Sequence, residues 1–190
     1  MNNRSRGASA SSRCVKETYK PVNQFRMSRR ILPHMQDPDQ TYFITFRIHD
    51  IIMPNEVLAV VMNSCLYWNE KKCKIHVCVV MPDHVHILLT PLEIPNLGYH
   101  SITTILHSIK SYSSIEANRL MNRQGVFWQR EYFDRIIRSE SDLFEKWNYI
   151  RTNPVRKGLV EVVEEYTFLY EENRRDWRIG AGTKRTSTFL

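Results

Sequence analysis

The sequence predicts an α+β fold, in which helices cover one face of an antiparallel sheet, and three observations support it. The chain has 190 residues, enough for one domain and too few for two independent cores. Its hydrophobic content of 42% is sufficient for a buried core. Its strand-like and helix-like segments follow the order β-α-β-β-α-β-α, and hairpins mixed with crossovers are typical of a ferredoxin-like sandwich.

The first half of the chain contains three of the predicted strands and one helix. Residues 41–49 alternate and are rich in β-branched and aromatic side chains, which predicts a strand. Pro54 begins a segment with apolar residues at helical spacing. Segments 74–80 and 84–90 predict two strands joined by a compact Met-Pro-Asp connection.

The second half begins with a helix and a strand that is expected to return to the sheet. Residues 101–122 have helical spacing, and Ser101 stands where a helix cap is preferred. The aromatic segment 125–139 is strand-like.

A third helix is predicted over residues 139–153. Ser139 with Asp142 three residues later is a variant of the capping box, and Pro154 is expected to end the helix. Beyond residue 160, an acidic and aromatic stretch is expected to pack back on the core.

The net charge of +7 is concentrated at the start of the chain. Residues 1–30 carry eight basic side chains and one acidic side chain, whereas residues 31–170 carry 14 basic and 16 acidic ones. A basic arm often binds a polyanion, and phosphate contacts make affinity depend on salt. An inert leader or an organelle transit peptide would have a similar composition. We therefore expect a disordered basic arm over 1–34, one folded domain over 35–170 and a tail over 171–190.

Several classes of protein are excluded or disfavoured by the sequence. The most apolar stretch, around residues 75–89, is interrupted by Pro82, Asp83 and three histidines, so no membrane partner is expected. The beginning of the chain lacks the apolar core of a secretory signal. The four cysteines form no CxxC pair, which favours a reducing, cytoplasmic setting.

His84 and His86 are the first residues that suggest chemistry. Residues two apart on a strand point to the same face, so the two imidazoles could bind one divalent ion. Two hydrogen-bonded core histidines would give the same pattern. His76, on the preceding strand, is interpreted as a structural residue.

Tyr149 and Asn153 are four residues apart on the third helix and therefore share a face. A tyrosine hydroxyl can act as a nucleophile, and a carboxamide oxygen can bind a hard metal ion. Packing in the core is the alternative for this tyrosine. Tyr112, Tyr132 and Tyr166 are the competing tyrosines.

Three segments resemble one known family, the IS200-like, HUH-type tyrosine transposases, with most similarity to the REP-associated branch. The segments are MPDHVHILLTP (81–91), FWQREYFDRIIRSESDL (127–143) and YIRTNPVRKGLV (149–160). The resemblance covers roughly residues 28–165. It implies a catalytic domain that acts as a single-strand DNA endonuclease and strand-transferase.

The resemblance also implies residue roles and a cofactor. His84 and His86, which flank Val85, would be paired metal ligands, Tyr149 the nucleophile and Asn153 the third ligand. The ion would be Mg²⁺ or Mn²⁺. Because a phenol has a pKa of about 10, it would need a metal-polarised phosphate more than a strong base.

Substrate binding needs cationic side chains and stacking groups. Segment 101–157 has ten basic and six acidic residues. The expected contacts to single-stranded or hairpin DNA are Lys110, Trp128, Arg130, Arg135, Arg138, Arg156 and Lys157. Phe133 is interpreted as a core residue.

A domesticated, catalytically silent protein that binds palindromic DNA is the alternative function, and a metal-dependent hydrolase without a covalent step is a third. A monomer is favoured over a homodimer. The expected location is the cytoplasm of a prokaryote, in association with the nucleoid.

Overall fold

In a computed structural model of the protein, which describes residues 37, 39–49 and 51–173, seven strands and three α-helices are formed. The strands are β1 (Tyr42–Ile48), β2 (Cys73–Val80), β3 (His84–Pro91), β4 (Glu93–Ile94), β5 (Gly98–Tyr99), β6 (Trp128–Ile136) and β7 (Leu169–Glu171). The helices are α1 (Asn55–Leu66), α2 (Ile102–Leu120) and α3 (Glu140–Arg156), and a 3₁₀ turn spans Val163–Glu165. The predicted order of elements is confirmed, with the small β4–β5 hairpin and β7 in addition.

The main sheet has five strands in the order β6-β1-β3-β2-β7, and every neighbouring pair is antiparallel. The predicted α+β fold with an antiparallel sheet is therefore confirmed. β2 and β3 form the expected hairpin, which is closed by a 2.7 Å hydrogen bond from the Met81 N–H to the His84 carbonyl. This tight connection fixes the start of β3, where the two histidines lie.

The helices lie on both faces of the sheet. α1 and α2 pack against the face that carries Tyr42, Ile44 and Phe46, whereas α3 packs against the face that carries Phe43 and Leu88. The prediction that the helices gather on one face is wrong for α3. The reason is that β2 and β3 are apolar on both faces, so both faces of the sheet have to be covered.

The end of α3 differs from the prediction at Pro154. The helix continues through this buried proline to Arg156, although a proline inside a helix lacks one N–H donor and crowds the carbonyl four residues earlier. Gly158 ends the helix at a φ of 67°, donating to the Val155 carbonyl at 2.9 Å, while Leu159 donates to the Pro154 carbonyl at 3.0 Å. This is a Schellman ending, which a left-handed glycine favours.

The helix starts follow the predictions in part. The Ser139 side chain accepts a hydrogen bond from the Asp142 N–H at 3.1 Å, which confirms the predicted cap of α3. Ser101 occupies the capping position of α2, but its side chain makes no capping hydrogen bond.

The stretch after residue 160 packs back on the core, as predicted. β7 pairs with β2, and the Tyr166 hydroxyl donates to the Val80 carbonyl at 2.7 Å. The predicted basic arm and most of the predicted tail lie outside the described residues, so the domain boundaries remain a prediction. None of the described helices is long and apolar enough to cross a membrane.

Candidate active site

His84 and His86 lie side by side on the face of β3 that α3 covers. Both are buried, and their Nε2 atoms are 3.0 Å apart. The sequence prediction that the two imidazoles share a face is confirmed. Two ring nitrogens at this separation can share one proton or one cation.

Each imidazole is held through its other ring nitrogen. The Nδ1 atom of His84 is 2.6 Å from an Asp83 carboxylate oxygen, and the Nδ1 atom of His86 is 2.7 Å from the Thr45 hydroxyl. Since a carboxylate accepts only, His84 donates from Nδ1, which leaves a lone pair on Nε2. Arg47 in turn contacts the second oxygen of Asp83 at 3.2 Å. The neighbours therefore orient both rings in the way that metal-binding histidines require.

Burial and positive neighbours keep the two imidazoles neutral. Burial, with smaller contributions from His84 and Arg47, lowers the pKa of His86 to about 3. Burial also lowers the pKa of His84, although the Asp83 carboxylate opposes this shift. Neutral rings have the free lone pairs that a metal ion needs.

Tyr149 lies on α3 directly above His86. The ring centroids of Tyr149 and His86 are 5.2 Å apart, with an angle of 69° between the planes. Phe43, which stacks on His86 at 5.5 Å, meets the tyrosine edge-on at 6.0 Å, and the Arg156 guanidinium lies 5.0 Å from the tyrosine ring centroid. The tyrosine is half-buried. The structure therefore brings Tyr149 and the histidine pair together.

Asn153 follows Tyr149 by one helical turn and is buried beneath α3. Tyr149 packs on His86, and Lys157, a further turn on, is close enough to lower the pKa values of both histidines. Asn153 lies between these two residues along the chain and shares their side of the helix. Its Oδ1 atom has no hydrogen-bond partner among the described residues.

This donor set suits a divalent ion. A buried, unpartnered carboxamide oxygen is uncommon and calls for an explanation, such as a ligand that it could bind. Two neutral imidazoles and one carboxamide oxygen can bind Mn²⁺ or Mg²⁺ and leave positions open for substrate oxygens. Among the described residues, no group of three or more His, Cys, Asp or Glu side chains is placed to hold a metal ion. Asn153 is the candidate third ligand, because its unpartnered oxygen is on the same side of α3 as Tyr149.

An open cavity of about 360 Å³ leads to the histidine and tyrosine rings. It is lined by Phe43, Thr45, Arg47, His86, Phe133, Lys146 and Tyr149. Of these, Phe43, Thr45, Arg47, Phe133 and Lys146 were not among the predicted site residues. Alternation along β1 was the available signal, because Tyr42, Ile44, Phe46 and Ile48 form one apolar face and leave the others on the opposite face.

Most of the predicted DNA-binding cations are exposed. Arg130, Arg138, Arg156 and Lys157 are open to solvent, and Arg156 and Lys157 lie near the tyrosine and the histidines respectively. Arg135 is exposed as well, but its guanidinium makes a 3.2 Å ion pair with Asp142.

Lys110 and Trp128 each form a hydrogen bond that joins α2 to β6. The Lys110 ammonium donates to the Gln129 carbonyl at 2.7 Å and joins α2 to β6, and burial lowers its pKa to about 8. Trp128 is 5% exposed, packs edge-on against Phe46 and donates from its indole N–H to the Ser113 hydroxyl. Trp128 is therefore a core residue, and its predicted stacking on DNA bases stays a prediction that this burial disfavours.

Phe133 is exposed, contrary to the prediction that it is a core residue. It is 50% exposed at the mouth of the cavity, although the sequence placed it in the core. Trp128 and Tyr132 have the opposite parity on β6 and point to the α1–α2 face. Both faces of this segment carry aromatic residues, so the sequence pattern did not show which face was buried.

The three competing tyrosines are placed differently from Tyr149. The Tyr132 hydroxyl lies 3.2 Å from the Thr103 hydroxyl, Tyr166 bonds to Val80, and Tyr112 is exposed on α2. His76 is confirmed as a structural residue, because its ring nitrogens contact the Glu172 carboxylate and the Thr90 hydroxyl at 3.0 and 2.9 Å.

Comparisons with known proteins point to one family and one fold. The family described as "Transposase IS200 like" matches residues 53–153, which is just over half of the chain. A Haemophilus influenzae protein whose name assigns it to the REP-associated tyrosine transposases is 30% identical over 94 residues. That alignment covers 47% of this chain and 53% of the relative, so the match spans about half the length of the relative.

A similar fold is present in a solved structure of a REP-associated tyrosine transposase bound to a REP hairpin. The TM-score is 0.61, and the alignment covers 83% of this chain and 98% of the other. At 18% sequence identity, this likeness concerns the fold.

Proposed function

The chain belongs to the IS200-like transposase family, and from this premise we propose that it is a metal-dependent single-strand DNA transposase. In this proposal, it nicks and rejoins hairpin-flanked DNA through a 5′-phosphotyrosine intermediate. One observation carries the proposal: the Tyr149 ring packs on His86, 5.2 Å away, beside two converging imidazole nitrogens.

Tyr149 is the proposed nucleophile. Its Oη attacks the phosphorus of the scissile phosphate, the bond from phosphorus to the 3′ oxygen breaks, and a phosphotyrosine ester forms. The phenol loses one proton to solvent and the departing 3′ oxygen gains one, so the proton balance is zero. The energy of the phosphodiester is retained in the new ester. The 3′-OH of another strand can therefore reverse the step and rejoin the DNA without ATP.

His84, His86 and Asn153 are the proposed ligands of one Mg²⁺ or Mn²⁺ ion. When bound, the ion would withdraw charge from a non-bridging phosphate oxygen. Asp83 and Thr45 hold the two imidazoles in place through Nδ1, so the ligand geometry is fixed before substrate arrives. Burial beneath α3 keeps both rings neutral, so they are available as ligands.

Hairpin or single-stranded DNA is the proposed partner. The solved structure of similar fold is described as bound to a REP hairpin, which supports this class of ligand. The exposed cations Arg130, Arg138, Arg156 and Lys157 would track the phosphates, with Arg156 and Lys157 nearest the reacting groups. A monomer remains the favoured state as a prediction.

A labelled hairpin oligonucleotide with single-stranded flanks, incubated with the purified protein and Mn²⁺, tests the proposal. We expect a covalent adduct on a denaturing gel, lost in Tyr149→Phe and retained in Tyr112→Phe, which removes an exposed hydroxyl on α2. A mobility shift without an adduct would indicate the silent palindrome-binding protein. Cleavage by Tyr149→Phe would indicate a hydrolase that needs no covalent step.

A further inference from the structure

We propose that Phe133 is a stacking platform for the nucleobase next to the scissile phosphate. This inference rests on the proposed function and assigns a residue of the same site. It identifies the occupant of the cavity mouth as one nucleotide of an unpaired strand.

Exposure of a large aromatic ring at the site is the first observation. Phe133 is 50% exposed, and its ring meets Phe43 at 6.3 Å with an angle of 67° between the planes. It therefore packs on Phe43 by an edge contact, remains half exposed and is one of the residues that line the cavity. Every base has a π-face, so such a ring can stack on any of them.

The register of the sheet places Phe133 beside the reacting groups. Thr45 pairs with Phe133 on one side and with His86 on the other. Directly paired residues of antiparallel strands point to the same face, so these three side chains form one row across the sheet. Two strand spacings amount to about 10 Å. A base on Phe133 would thus belong to a nucleotide adjacent to the phosphate held at the histidines.

Two cationic side chains lie at the cavity. Arg47 and Lys146 line it together with Phe133, and each also pairs with a carboxylate, Asp83 and Glu145 respectively. An aromatic surface flanked by cationic side chains is the arrangement with which proteins bind single strands. An exposed apolar ring between cations is less suited to an apolar protein partner.

Packing is the competing explanation for Phe133, and substitutions can separate the two roles. Phe133→Leu keeps an apolar side chain against Phe43 but has no π-face. Phe133→Trp keeps the π-face. Phe144→Leu is a matched control, because Phe144 is an aromatic residue of similar exposure on α3, 53%.

The test measures hairpin affinity in the Tyr149→Phe background, which is expected to bind without cleaving. Three oligonucleotides are compared: an intact strand and strands with one abasic site on either side of the scissile phosphate. We expect Phe133→Leu to weaken binding of the intact strand about tenfold. It should not weaken binding further where the stacked base is missing, whereas Phe133→Trp and Phe144→Leu should bind like their parent.

A loss that is equal for the intact strand and both abasic strands would overturn the inference, as would no loss at all. Thermal unfolding of each variant checks that the fold is retained. If the parent protein forms the adduct but the loss of affinity in Phe133→Leu does not depend on the stacked base, only the stacking role is refuted. If that loss does depend on the base but no adduct forms, only the proposed chemistry is refuted.

Discussion

Strand β3 is buried on both of its faces, and the two faces carry different side chains. On β3, Val85, Ile87 and Leu89 point to the face covered by α1 and α2, where the core is continuous and apolar. His84 and His86 point to the face covered by α3, together with Leu88. Neighbouring residues of a single strand therefore serve stability on one side and the candidate active site on the other.

The buried polar groups on the α3 face differ in whether they have hydrogen-bond partners. The two histidines have them, because Asp83 and Thr45 bond to their Nδ1 atoms. The buried Asn153 oxygen has no such partner among the described residues, and an unsatisfied buried acceptor costs about 1–3 kcal/mol. Substitutions on the two faces should therefore separate activity from stability.

The largest expected effect is on activity, at His86. His86→Ala should abolish the covalent adduct and weaken Mn²⁺ binding, while hairpin affinity changes little because the exposed cations remain. The matched control is His76→Gln, which alters a buried histidine that contacts Glu172 and Thr90. That variant should lose stability and still form the adduct. Adduct formation by His86→Ala at the parent rate would mean that the histidine pair belongs to the core.

The next residue along β3 should give the opposite result. Ile87→Ala leaves a cavity in the apolar face, so the free energy of unfolding should fall by about 2–5 kcal/mol. Where the variant is folded, it should form the adduct as the parent does. Denaturant unfolding and the gel assay at low temperature measure the two effects. A loss of adduct in fully folded Ile87→Ala would show that the faces are not independent.

Asn153→Leu tests the unpartnered oxygen. Removing a buried, unsatisfied acceptor should leave the metal-free protein as stable as the parent or more stable, by up to about 1–3 kcal/mol. The rise in melting temperature on adding Mn²⁺ should become smaller, because one ligand is lost. A metal-induced rise equal to that of the parent would remove Asn153 from the ligand set.

The smallest expected effect concerns Thr45. Thr45→Val keeps the shape of the side chain but removes the hydroxyl that contacts His86 Nδ1. Mn²⁺ affinity should fall about 10–100-fold, as is typical of groups that orient a metal-binding histidine. Thr45→Ser restores the hydroxyl and should recover most of the affinity. Titration calorimetry on the three proteins checks this, and equal affinities would mean that Thr45 does not position the ring.

Local patterns were sufficient to predict much of the site. The two-residue spacing placed His84 and His86 on one face, and the four-residue spacing placed Tyr149 and Asn153 on one side of α3. These periodicities belong to single elements and survive folding.

The predictions that were wrong concerned how secondary-structure elements pack against each other. The apolar faces of β2 and β3 indicate that both sides of the sheet are covered, but the sequence could not show that α3 is the helix on the second side. Nor could it show which aromatic face of β6 is buried: Trp128 lies in the core, and Phe133, expected there, is exposed. The expectation that Pro154 ends the helix also failed, since α3 continues through it to Arg156.

The most direct test of the account is the identity of the tyrosine that carries the DNA. The adduct formed with the hairpin substrate and Mn²⁺ is digested with protease, and the peptide linked to DNA is identified by mass spectrometry. The account predicts a peptide in which Tyr149 bears the 5′-phosphate. DNA linked to Tyr112, Tyr132 or Tyr166 would contradict it, even if the protein proved to cut and rejoin single strands.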